Sequence, residues 1–141
     1  AGLTAAQLEF REELVLNVKL DFLVRWEEDK VLNLEKILLN KNRPTAFIAY
    51  SSEIAIELIK LLERFGLKVP QDVSIVAFCS GKVEINGVPL SGILYDWKTI
   101  GLHSVSKLLK VSLKNDEVNL DDYFKYTFLP GRTISFNSFK P

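Results

Sequence analysis

Thr45-Ala-Phe-Ile-Ala49, Ser51 through Phe65, and Val73-Ser-Ile-Val-Ala-Phe78 form the stretch whose reading decides the fold. The outer two segments are short apolar runs rich in Ile, Val and Phe, the signature of buried strands. Between them Ile54, Leu58, Leu61 and Phe65 recur at helical spacing, so one face of a helix is apolar. Ser51 or Ser52 can accept the free N–H groups at the start of that helix, and Gly66 can adopt the left-handed conformation that stops it. Two strands joined through a helix imply a parallel pair, because a tight hairpin cannot connect parallel neighbours.

Upstream, Leu8, Phe10, Leu14 and Val15 among charges predict a helix over 4–16. Leu20, Phe22, Val24 and Trp26 alternate as in a strand, and Asp29 is placed to cap a helix through Leu39 with Val31, Leu34, Ile37 and Leu38 on one face. Downstream, Gly81, Gly87 and Pro89 mark 79–89 as a loop or irregular edge. A strand over Ile93–Tyr95, a cap at Asp96, a helix over 97–111 and short β segments at 126–129 and 133–136 follow. The fold class expected is α/β, a parallel-sheet βαβ sandwich. Ligands of such sheets sit beyond the carboxyl ends of the strands, which points to Tyr50–Glu53 and Cys79–Gly81.

The chain has 141 residues, 48% of them hydrophobic, enough for one domain or lobe with a core. Lys plus Arg and Asp plus Glu each number 18. A nucleic-acid-binding module would carry surplus basic charge to meet phosphates, and none is present. No apolar run approaches the ~20 residues that span a bilayer. The opening residues lack the basic start and apolar stretch of a secretory signal. The absence of methionine suggests an excised fragment.

No residue set recommends catalysis. Cys79 would need a base, and His103, the one histidine, falls on a different predicted element. The runs Glu12-Glu13, Glu27-Glu28-Asp29 and Asp121-Asp122 read as solvated surface, cap and loop. One Cys and one His do not make a metal site, and the glycines of 81–87 lack phosphate-loop spacing. Trp26 and Trp97 are read as core or lobe-contact residues rather than ligand platforms. No catalytic residue, metal or cofactor is expected.

Residues 43–78, with Leu8–Leu14 upstream and Val88–Ile93, Gly101, Leu129-Pro130 and Ser138 beyond, resemble the lactose/galactose-repressor family of bacterial transcriptional regulators. The resemblance covers almost the whole chain and is most specific in its middle. It implies a fragment, 1–141, of an effector-binding and dimerisation domain, chiefly the C-terminal lobe of a type I periplasmic-binding-protein-like fold. Segment 97–125 resembles the one that crosses to the N-terminal lobe. A DNA-binding domain, the N-terminal lobe and the first strand–helix unit of this lobe are expected to lie outside the chain. The open sheet edge left behind would be closed by a second copy.

The family's sugar-holding residues are an Arg four positions before a Phe, the Asn of an Asn-Asp pair and the first Asp after the strand ending in Phe. Here those positions hold Ala6, Ser51 and Cys79. Each charge-assisted bond lost costs ~1.5–3 kcal/mol, so an ordinary sugar would bind poorly. Two readings stay open: a less hydroxylated or differently charged effector, or loss of sensing. The first is preferred, with Ala6, Tyr50, Ser51, Ser52, Cys79 and Ser80 as effector-site candidates. The wide apolar arc of the 52–65 helix suggests a homodimer surface of Ala55, Ile56, Ile59 and Glu63, joined by Lys82, Glu84 and Leu90. The resemblance further implies a cytoplasmic repressor that senses a small molecule, a carbohydrate for instance, reaches DNA only through another domain, contacts no membrane and is not an enzyme. The rivals are a solute-binding protein and an enzyme built on the same scaffold.

Overall fold

The computed structural model describes residues 9–18, 26–114 and 126–135. They divide at Thr45/Ala46 into two compact units.

In the first unit, the helix expected over 4–16 is not seen in its described part, which holds a single 3-10 turn at Glu12–Leu14. Phe10 and Val15 are exposed, and a helix this short depends on tertiary burial of an apolar face. The strand expected over 20–26 lies almost entirely outside the described residues. Helix α1, Glu28–Leu39, buries Leu34 and Leu38. Its N-cap is Glu27, without a side-chain cap bond, and Asp29 sits inside the first turn instead. There it favours the positive end of the helix dipole without capping.

In the second unit, strand β1 (Ala46–Ala49), helix α2 (Ser52–Arg64) and strand β2 (Ser74–Cys79) form the expected parallel unit, with Ala46 opposite Ser74 and Ala49 opposite Ala77. Ser51 caps α2 by accepting the Ile54 N–H at 3.3 Å. The helix ends in paired bonds, Leu67 N–H to Leu62 O and Gly66 N–H to Glu63 O, with Gly66 at φ +76°. That bonding satisfies the last carbonyls, and its left-handed residue favours glycine. The buried positions Ala55, Leu58, Ile59, Leu61 and Leu62 form a half-cylinder of apolar surface. The helix packs on β1 and β2, where Val73, Ile75 and Ala77 are fully buried. Burying one such Leu or Ile stabilises by about 1.5–3 kcal/mol.

β1 differs from the buried strand expected. Only Ala49 is buried, and Ile48 is 75% exposed, because β1 lies at the edge of the described four-stranded sheet, with β2 as its one neighbour there. Strand β5 (Gly92–Tyr95) runs parallel to β2, and β6 (Tyr126–Leu129) runs antiparallel to β5, so the sheet is mixed.

Between β2 and β5, the segment expected as irregular holds a hairpin, β3 (Glu84–Ile85) with β4 (Val88–Pro89). Asn86 and Gly87 both take positive φ, 51° and 75°, the signs of the tight turn that suits antiparallel twist. Asp96 caps helix α3 (Trp97–Lys114) as expected, its carboxylate accepting from the Thr99 N–H at 3.0 Å and from the Thr99 hydroxyl at 2.6 Å. Leu102, Val105, Leu108 and Leu109 stand exposed on α3.

Thr133–Ser135 do not form the expected last strand. Thr133 instead acts as a clamp: its N-terminal neighbour and its own polar atoms bond to β2, to β4 and to the residue that precedes β5. Arg132 N–H donates to Pro89 O, Thr133 O accepts from Ile75 N–H, and the Thr133 hydroxyl donates to Ile75 O while accepting from Ser91 N–H. A side chain that replaces ladder bonds does not show in β-propensity.

Candidate functional site

A cleft of about 300 Å³ opens where β1, β2 and β5 end. Tyr50 follows β1, Ser51 and Ser52 begin α2, and Cys79 and Ser80 close β2; all five line the cleft. The sixth effector-site candidate, Ala6, lies outside the described residues. Ser52 and Cys79 are buried, whereas Tyr50 is 75% exposed at the rim.

The other side of the cleft is aromatic. Phe78 and Tyr95 stack at 5.5 Å between ring centroids, and Trp97 tilts against Tyr95 at 5.3 Å. Trp97 is 57% exposed and lines the cleft, so it is not the core residue that was one of the two expectations for it. Tyr95 and Trp97 were missed although the rule that found Tyr50 and Cys79 applies equally to the end of β5.

Glu53 adds a charge. Hydrogen bonding from Ser51, then from its own backbone, with a smaller share from Ser52, holds its carboxyl below the ordinary carboxylate range. The Cys79 thiol is pushed up, first by burial and then by the Glu53 charge. Its sulfur contacts Ala77 O at 3.6 Å. A neutral, buried thiol is a poor nucleophile, so Cys79 contributes shape and not reactivity.

The residues expected to pair two copies are differently placed. Ala55, Ile59 and Leu90 are buried within the protomer, at 0%, 6% and 4% exposure. A side chain without surface cannot meet another chain, so the part of that set with accessible surface is Ile56, Glu63, Lys82 and Glu84.

An α/β unit whose parallel strands end in an open cleft, with a helix N-terminus and hydroxyls on one rim and aromatic rings on the other, has the architecture in which such sheets hold ligands. The model of the periplasmic binding protein-like domain matches residues 3–121, and the chain belongs to that family. The ribose operon repressor of Haemophilus influenzae is 28% identical over 121 residues, 84% of this chain and 34% of that protein. Among solved structures, the transcriptional regulator CelR in complex with cellobiose matches with a TM-score of 0.69 at 18% identity, over 93% of this chain and 39% of that one. The transcription regulator CcpA of Lactococcus lactis matches with a TM-score of 0.63 at 20% identity, over 94% and 47%. The relatives are thus transcriptional regulators, in keeping with the resemblance read from residues 43–78. The chain spans about a third of the length of the curated relatives that it matches over most of its own length.

Proposed function

We propose that this chain is the effector-binding and dimerisation part of a cytoplasmic transcriptional repressor, a sensor and not a catalyst. The observation that carries this reading is the gathering of Tyr50, Ser51, Ser52, Cys79 and Ser80 in one cleft at the strand ends. A small molecule held there, with a second lobe closing over it, would shift the placement of attached DNA-binding domains by preferring one closure state. Differential affinity of a few kcal/mol suffices. The exposed apolar stripe of α3 supports the crossing of 97–125 to that companion lobe. Ile56, Glu63, Lys82 and Glu84 are the surface proposed for the homodimer, and DNA is reached through a domain outside this chain. Carbohydrates are the effector class that the resemblance implies, but Ala6 and Cys79 stand where a sugar site carries charge, which favours a less hydroxylated or differently charged effector.

The test is to titrate the intact protein with sugars, sugar phosphates, nucleosides and amines, following its melting temperature and its affinity for operator DNA. A compound that raises the first and changes the second is expected. Operator affinity indifferent to every compound bound in the cleft would overturn the reading.

A further inference from the structure

Resting on the reading of this cleft as an effector site, we infer that its ligand is an organic cation, a protonated amine, guanidinium or quaternary ammonium on a flat or aliphatic body. The lining combines what such a ligand needs. Phe78, Tyr95 and Trp97 form a continuous row of rings, whose faces attract positive charge through their quadrupoles. Tyr50 stands at the opposite rim, and Glu53 brings a carboxylate to the same cleft.

Three observations turn the cleft away from other classes. Among the described residues no lysine, arginine or histidine lines it, so this side of the site offers a phosphate or carboxylate ligand no cation. The N-terminus of α2 would ordinarily seat an anion, but Glu53 in its first turn already answers that positive end. A highly hydroxylated sugar needs a dense set of polar partners, and the ring side of the cleft offers few. The Glu53 charge reaches into the cleft, since it acts on the Cys79 thiol across from it. Hydrogen bonding from Ser51, from its own backbone and from Ser52 lowers the Glu53 carboxyl further below an ordinary range that already leaves it ionised at neutral pH.

The test compares charge at constant shape. Choline and its neutral carbon analogue 3,3-dimethylbutanol, with agmatine, glucose and glucose 6-phosphate, are titrated into the intact protein while tryptophan fluorescence and melting temperature are followed. The signal is assigned by its loss in Trp97→Phe. Choline or agmatine is expected to bind at least about tenfold more tightly than the neutral analogue. Glu53→Gln is expected to reduce that preference severalfold without weakening the neutral analogue, and Tyr95→Leu to lower affinity for the cations most. Equal binding of choline and its carbon analogue, or tighter binding of either glucose compound, would overturn the inference while leaving the cleft an effector site. A cleft that responds to no compound of any class would overturn both.

Discussion

Gly92 and Cys79 meet across the β2–β5 ladder so closely that a Cβ on Gly92 would lie 2.7 Å from the Cys79 sulfur and 3.1 Å from Ala77 O. Gly92→Ala therefore over-packs the sheet immediately behind the cleft. Such insertions cost about 1–3 kcal/mol, and urea denaturation should show the midpoint falling by that much. Adding Cys79→Ala should recover part of the loss, since the sulfur leaves but the Ala77 carbonyl stays. An equal loss with and without the sulfur would place the clash elsewhere.

The Thr133 hydroxyl joins the carbonyl of Ile75 and the N–H of Ser91 at 2.8 and 2.9 Å while only 2% exposed. Thr133→Val keeps the shape and strands both backbone groups away from water. Each buried group left unpaired costs about 1–3 kcal/mol, so a destabilisation of about 2–4 kcal/mol is expected, with an unchanged slope of stability against urea. Gly131 should be equally unforgiving. A Cβ there would lie 2.4 Å from Ser91 N and Leu90 C, which are backbone atoms that cannot step aside.

These two sites show where the sequence stopped being legible. The β1–α2–β2 unit could be read because each signal is local: Ser51 caps, Gly66 terminates, and apolar residues fall at helical or strand spacing. Asn86-Gly87 carried an equally local hairpin signal, but Gly81 and Pro89 on either side made the segment look irregular. The Thr133 clamp was illegible for a different reason. Its partners lie 58 and 42 residues away, and the β-branched pair Thr133-Ile134 suggests a strand. Half of the cleft followed from the strand-end rule. The aromatic half needed the same rule carried to the end of β5, where a Trp beside a helix start reads as packing until its exposure is known.

Ionisation in the cleft gives a pH signature. The Cys79 thiol is raised from 9.0 by burial first and by Glu53 second. A folded-state pKa above the unfolded value means that the native chain keeps a proton the unfolded chain has lost. The associated stability is full below the unfolded pKa and declines as pH rises through and beyond it. Glu53 has the opposite sign. Its carboxyl is lowered, so its contribution holds above the unfolded carboxylate pKa of 4.5 and fades as pH falls through the folded one. Alkylation of Cys79 against pH should shift to lower pH in Glu53→Gln, yet remain displaced above an ordinary thiol because burial persists. An unmoved profile would show that the two groups do not interact.

The proposed pairing surface can be separated from the core on the same helix. Ile59 is 6% exposed and lies on the buried half of α2, whereas Ile56 is half-buried, two turns before the exposed Glu63. Ile59→Ala should cost about 2–5 kcal/mol, the range for emptying a core site, and should change folding before it changes association. Ile56→Glu spares the fully buried positions and adds a second carboxylate to the face that carries Glu63 two turns on, so that two copies meeting through this face bring like charges together. Sedimentation should show the homodimer weakened at least tenfold by Ile56→Glu, with far-ultraviolet circular dichroism unchanged. Pairing with Ile56→Arg should weaken less, because the new cation can answer Glu63. A dimer indifferent to both Ile56 variants would remove α2 from the interface and leave Lys82, just before the β3–β4 hairpin, and Glu84, in its first strand, as the remaining surface to test.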